Sequence, residues 1–310
     1  MIGTTIENVG WPIGQLNQIR SPMEPNVKQD DKSFEVVLNG GLGNQLFGWA
    51  MGYAVSAMNG YELKLNSSEL TGRPYELGKI GILADSSSPK FKSPFSPDLM
   101  SRVKRKISSC LNLWTSVYAE KNFRYDPAVK TLPSGSTLYG YFQSWKYFEE
   151  YGDDIKKRIK SHFPESQEYL KFRNELSDAD YFAIHVRRGD YVGREDFHGL
   201  TTAEYYSRAL ERVGLRPSEE IICFSDSIEM AKEVLPNCSR YFGPESINDP
   251  VTLLRIMSEA KGLIGSNSSL SWWSAYLMDE EKIKIFPAKW FANPDLDTTD
   301  LIPPEWQILD

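Results

Sequence analysis

Cysteine and histidine are scarce, at three residues each in a chain of 310. Cys110, Cys223 and Cys238 cannot all pair, and none stands in a C-x-x-C spacing, which argues against a disulfide scaffold and a zinc ribbon. His162, His185 and His198 are too few and too scattered for a histidine-rich metal site, so no metal is expected. There is no run of 18 apolar residues, and the opening residues lack the basic-then-apolar pattern of a signal peptide. A transmembrane span is therefore not expected, and peripheral association is the most a membrane would offer; the location read from this is cytoplasmic. Basic blocks of five or more are absent too, and acids outnumber bases 42 to 35, for a net charge of −7. That balance disfavours nucleic acid and anionic lipid as partners, so an anionic ligand would have to be held by a local site. Internal repeats and low-complexity tracts are missing as well.

What is present is an ordinary globular composition, 41% hydrophobic and 25% charged. At about 150 residues per domain the length predicts two domains, with two cores and a cleft between them. Residues 1–32 lack periodicity and read as a loose leader. Phe34–Leu38 is a short β-branched apolar run, and Gly43–Met58 carries apolar residues at helical spacing up to Asn59-Gly60. Tyr61–Leu65 closes a strand–turn–helix–strand unit. Residues 85–97 read as a Ser/Pro-rich loop and 97–107 as a basic helix with a solvated face. A strand over 137–142 and helices over 146–163 and 168–176 follow. From Tyr181 the alternation resumes: strands at 181–186, 221–224, 262–265 and 282–286, helices at 203–213, 228–234, from Asp249-Pro250, and at 270–278. Strands alternating with helices at this spacing predict parallel α/β sheets. The boundary falls near 164–178, giving domains over 33–165 and 166–310.

Three segments at strand ends could carry chemistry. Gly40-Gly41-Leu42-Gly43-Asn44-Gln45 joins a strand to a helix, where glycines admit a ligand to the backbone and the helix N-terminus offers N–H groups. A dinucleotide fingerprint would need a third glycine where Leu46 stands, which weakens an NAD reading; a plain tight turn would use the same residues. His185-Val186-Arg187-Arg188-Gly189-Asp190-Tyr191 ends the strand YFAIHV, and ligands of parallel sheets bind beyond the carboxyl ends of strands. Two adjacent arginines there point opposite ways, one able to reach a phosphate while the other pairs internally with an acid such as Asp190; a surface Arg–Asp pair is the plain alternative. Gly265-Ser266-Asn267-Ser268-Ser269 again sets hydroxyls and amides at a helix start, for a phosphate or simply for capping. Asp226, in Phe224-Ser225-Asp226, could receive guanine N–H groups or cap the next helix. Asp295-Leu296-Asp297 matches a D-x-D pattern but reads as a turn after Asn293-Pro294.

Taken in order, GGLGNQLFGWAMGYA, HVRRGDY, FSDS, GSNSSLSWWSAYL, IFPAKWF and IPPEWQIL resemble the family-11 α-1,2-fucosyltransferases from residue 34 to 310. The resemblance implies an enzyme of GT-B architecture, two Rossmann-like domains facing across a cleft. It implies GDP-β-L-fucose as donor, inverting transfer to the 2-hydroxyl of a terminal galactose on an oligosaccharide, and no cofactor or required metal. By motif position it places Arg187 on the β-phosphate with Arg188 as a structural or phosphate-side companion, His185 and Asp226 on the guanosine, and Ser268 and Ser269 at the pyrophosphate. Gly41, Gly43, Asn44 and Gln45 would reach the cleft from the first domain. The base is sought in the loop after the arginines, at Asp190 first, then Glu195, then His198. Gly48-Trp49 departs from the Gln-Tyr common in the family, and Ser227 from a second aspartate. The alternatives are another linkage or acceptor, an NAD-dependent oxidoreductase, and a glycan-binding protein without activity.

Overall fold

The computed structural model describes residues 32–70, 72–85, 117–177, 179–189, 195–214 and 219–310, with backbone alone at 195 and 196. The leader, the Ser/Pro-rich loop beyond residue 85, the basic helix over 97–107, Cys110 and Asp190 lie outside the described residues. Among the described residues are two sheets, and every pairing in both is parallel. The first contains β1 (Ser33–Val37), β2 (Glu62–Asn66), β3 (Val117–Ala119) and β4 (Thr137–Tyr139), in the order β2-β1-β4-β3. The second contains β5 (Tyr181–Val186), β6 (Glu220–Ser225), β7 (Arg240–Phe242), β8 (Gly262–Ile264), β9 (Ile283–Pro287) and β10 (Gln307–Leu309), in the order β10-β9-β8-β5-β6-β7. Two parallel α/β sheets are the GT-B-type class expected. In the second sheet the chain winds one way from β5 and the other way from β8, so the crevice at their carboxyl ends is a topological switch point, where such sheets bind ligands.

Local chemistry accounts for the helices. Helix α1 (Leu42–Asn59) stops where Gly60 takes the left-handed conformation at φ 66°. Short helix α2 (Gly152–Lys160) and α3 (Gln167–Glu175) follow, the latter capped by Ser166 on the Tyr169 amide. Next come α4 (Glu195–His198), α5 (Ala203–Val213), capped by Thr202, and α6 (Ile228–Val234). Helix α7 (Pro250–Glu259) has Pro250 in its first turn and Asp249 accepting from the Thr252 amide; α8 (Ser269–Leu277) carries the two tryptophans.

The continuous helix expected over 146–163 is broken instead. Two 3₁₀ turns, Trp145–Tyr147 and Glu149–Tyr151, precede α2, and Phe148 between them leaves helical geometry at φ −130°, ψ 18°. Its ring is fully buried and stacks on Trp273 at 5.5 Å. The two expected cores are also not separate. One cluster of buried side chains runs through both sheets, because Phe47 on α1 packs against Trp272 and Trp273 on α8 at 4.6 and 5.3 Å. Lys32–Asp310 accordingly forms one compact unit. A smaller cluster lies under α5 and α6.

Candidate active site

β5 is buried along its whole length, and the arginines begin where it leaves the sheet. Arg188 turns inward and is 3% exposed. Its Nη2 donates to the Thr201 carbonyl at 2.5 Å and its Nη1 to the Arg187 carbonyl at 3.1 Å, so its guanidinium is bonded to main-chain carbonyls inside the protein. Arg187 lies nearer solvent, and its Nε meets Asp226 Oδ2 at 3.1 Å. The Arg188 amide donates to Asp226 Oδ1 at 2.8 Å. Asp226, just past β6, thus receives the side chain of one arginine and the main chain of the other, while Asp190, the acid named as a partner from the sequence, lies outside the described residues. Asp226 does not cap α6, since Ser227 holds the N-cap position. Gly189 leaves room for this pair: a Cβ at that position would stand 2.5 Å from Asp226 Oδ2 and displace the carboxylate.

His185, expected on a guanosine, is 1% exposed and braced from inside. Its Nδ1 lies 2.5 Å from Ser271 Oγ and 3.4 Å from Ser266 Oγ. Burial, and then the neighbouring Arg187 cation, lower its pKa, so the ring is neutral and ties the end of β5 to the first turn of α8. Ser271 lay in the quoted motif without being singled out, and Thr201 carried no signal in the sequence.

The two glycine- and serine-rich turns come together. At Gly43 a Cβ would lie 2.5 Å from the Ser269 carbonyl carbon and 2.6 Å from Ser269 Oγ, so the start of α1 abuts the start of α8. Neither N-cap residue, extended Gly41 or buried Ser268, gives its helix a side-chain cap. Capping thus does not explain the serines. Two positive helix ends with uncapped amides face one region.

Asn44 Oδ1 receives Gln143 Nε2 at 2.8 Å. Gln45, expected to reach the cleft, is fully buried: Nε2 donates to the Gly40 and Pro74 carbonyls at 3.0 and 2.9 Å, and Oε1 receives the Glu76 amide at 2.9 Å. It shapes the turn from within. Trp49 is 2% exposed and packs on Tyr53, so the Gly48-Trp49 departure belongs to the core. Leu46, where a dinucleotide site would need glycine, is a fully buried core residue. Asp297 receives the Thr299 amide and hydroxyl at 3.0 and 2.6 Å, the turn that D-x-D was read as. Glu195 opens α4, and its side chain lies outside the description. Among the described residues no three His, Cys, Asp or Glu side chains gather as metal ligands would.

One acid was not anticipated. Glu120, just past β3, accepts the Tyr141 and Phe142 amides at 2.7 and 3.0 Å, and desolvation pushes its carboxyl up to about 7. Phe142 is held at φ 51°, a conformation few non-glycine residues adopt. A three-residue strand has no readable periodicity, which is why the sequence pointed to nothing here.

The model of the glycosyl transferase family 11 matches residues 12–310. The chain belongs to that family. The match begins inside the segment read as a leader. As a family 11 glycosyltransferase the chain is similar to an α-1,2-colitosyltransferase of Escherichia coli, 29% identical over 87% of this chain and 96% of the relative. It is similar also to the O-antigen biosynthesis glycosyltransferase WbnK of Escherichia coli, 28% identical over 83% and 94%. A galactoside α-(1,2)-fucosyltransferase 2 of Sus scrofa is 24% identical over 95% and 83%. Among solved structures, NodZ α-1,6-fucosyltransferase co-crystallised with GDP aligns with 80% of this chain and 93% of its own, at 13% identity and a TM-score of 0.47. No helix among the described residues is long and apolar enough to cross a membrane.

Proposed function

We propose that this family 11 enzyme transfers L-fucose from GDP-β-L-fucose to the 2-hydroxyl of a terminal galactose, with inversion and without a required metal. The meeting of two uncapped helix N-termini, one of them following β8, the neighbour of the strand that leads into Arg187, carries the reading. As the bond between C1 and the phosphate oxygen breaks, negative charge gathers on the β-phosphate, and helix amides and a guanidinium are the groups that stabilise it. Asp226 sets Arg187 at this position, and Ser268 and Ser269 lie on the same turn. The acceptor oxygen bonds to C1 from the opposite face, GDP leaves, and the hydroxyl proton passes to a base. Asp190, with Glu195 second, is our candidate from the sequence. Asp190→Asn should keep donor affinity and lose transfer; persisting transfer moves the base to Glu195 or beyond.

The colitosyltransferase relative favours one variant, in which the transferred sugar is colitose. A thermal-shift titration with GDP-fucose, GDP, UDP-galactose and NAD, each with and without EDTA, tests the proposal. Stabilisation by GDP and GDP-fucose that survives EDTA is expected. A response to UDP-galactose or NAD alone, or one abolished by EDTA, overturns it. Turnover with a colitose donor in place of GDP-fucose selects the variant.

A further inference from the structure

A run of aromatic rings crosses from one sheet to the other. Tyr141, just after β4, stacks on Phe123 at 6.3 Å and 18°; Phe123 meets Phe291 at 4.6 Å; and Phe291 meets Phe197 on α4 at 5.2 Å. Its two ends are open, Tyr141 at 40% and Phe197 at 45% exposed. Exposed aromatics that line up on one wall mark a binding surface more often than scattered ones do.

The run is joined to the candidate site at both ends. On the first sheet, Gly140 O receives Asn39 Nδ2 at 3.3 Å and Gln143 bonds Asn44, so Tyr141 sits between two residues tied to the Gly-rich turn. Glu120 fixes the Tyr141 and Phe142 amides from behind. On the second sheet, the Phe197 carbonyl receives the Ala292 amide at 2.9 Å. Asn267, of the serine-rich turn, donates to the His198 and Trp290 carbonyls at 2.6 and 2.9 Å. The wall is thus built on the same two turns that would hold the donor.

We propose that the aromatic run from Tyr141 to Phe197 forms the acceptor subsite, its exposed ends stacking on C–H faces of the acceptor glycan's sugars, the terminal galactose among them, while the galactose 2-hydroxyl faces the donor. The proposal rests on the transferase reading above. The chemistry suits this occupant: a galactose ring, with its 4-hydroxyl axial, leaves C–H groups together on one face, and an aromatic ring covers such a face while the rim hydroxyls stay in polar surroundings. Continuity with the Gly-rich turn and with the serine-rich turn favours a sugar presented to the donor over a protein partner.

Saturation-transfer NMR and steady-state kinetics with a galactose-terminated oligosaccharide test it. In Tyr141→Ala and Phe197→Ser the acceptor KM and Kd should each rise roughly tenfold, with GDP-fucose affinity held, while Tyr141→Phe should behave as wild type. Unaltered acceptor KM and Kd in both Tyr141→Ala and Phe197→Ser overturn the subsite. Glycan binding that weakens in those variants, by a wild-type protein that does not bind GDP-fucose, supports the subsite and removes the transferase reading instead.

Discussion

Asp226 shows how one side chain sets the roles of two others. It receives Arg187 Nε and the Arg188 amide, so the first guanidinium stays near the surface of the crevice while the second is spent on Thr201. Removing an electrostatic stabiliser of a leaving phosphate costs about 10²–10³ in turnover. Arg187→Ala should lose that much with its circular dichroism unchanged, and near-normal turnover would reject the phosphate role. Glu120 gives a second prediction. Desolvation raises its pKa from 4.5 to about 7, so the folded protein holds this proton more tightly than the unfolded chain does. Its contribution to stability is therefore greatest at and below pH about 4.5, declines as pH climbs to about 7, and is level above. Tyr118, Tyr141 and Tyr147 surround it, and their pKa values lie above the ordinary tyrosine value. Denaturation curves at several pH values should show Glu120→Gln with a flatter dependence across that window; parallel curves for the two proteins would refute the assignment.

At the scale of elements, the contact of α1 with α8 is the most constrained feature. A methyl group on Gly43 would press on the Ser269–Leu270 backbone at 2.5–2.6 Å, and main chain cannot rotate aside as a side chain can. Gly43→Ala should cost roughly 1–3 kcal/mol in urea unfolding, the usual range for overpacking, and weaken donor binding as the helix ends part. A fully stable variant would show that the contact yields. The same elements mark what could be read beforehand. Long or strongly patterned segments were legible: 181–186, 203–213 and 228–234 stand where their periodicity put them. The strands β3, β7 and β10 were not, whereas β4 and β8, equally short, were found from the longer runs of strand-forming residues around them. The turns bearing the candidate site were found by their glycines and serines. The fates of individual side chains were not, since Gln45, Arg188 and His185 turn inward for partners far away in sequence, such as Pro74, Thr201 and Ser271.

At the scale of the molecule, the length pointed to two domains, and each sheet is built from its own stretch of chain. What it did not convey is how they are fastened. Phe47, Phe148, Trp272, Trp273 and Tyr276 make one aromatic block between them, with Trp272 also packed against Trp306 at 5.3 Å and donating its indole N–H to the Leu301 carbonyl at 2.8 Å. Asp300 adds a polar fastening, receiving Lys146 Nζ at 2.5 Å and the Tyr125 amide at 3.1 Å. Aromatic packing of this density has few alternative arrangements. Such a block opposes any swivelling of the two lobes about each other as the proposed donor enters. Small-angle scattering of the free and donor-saturated enzyme should superimpose; a marked contraction on saturation would mean that the aromatic block is a bearing rather than a weld.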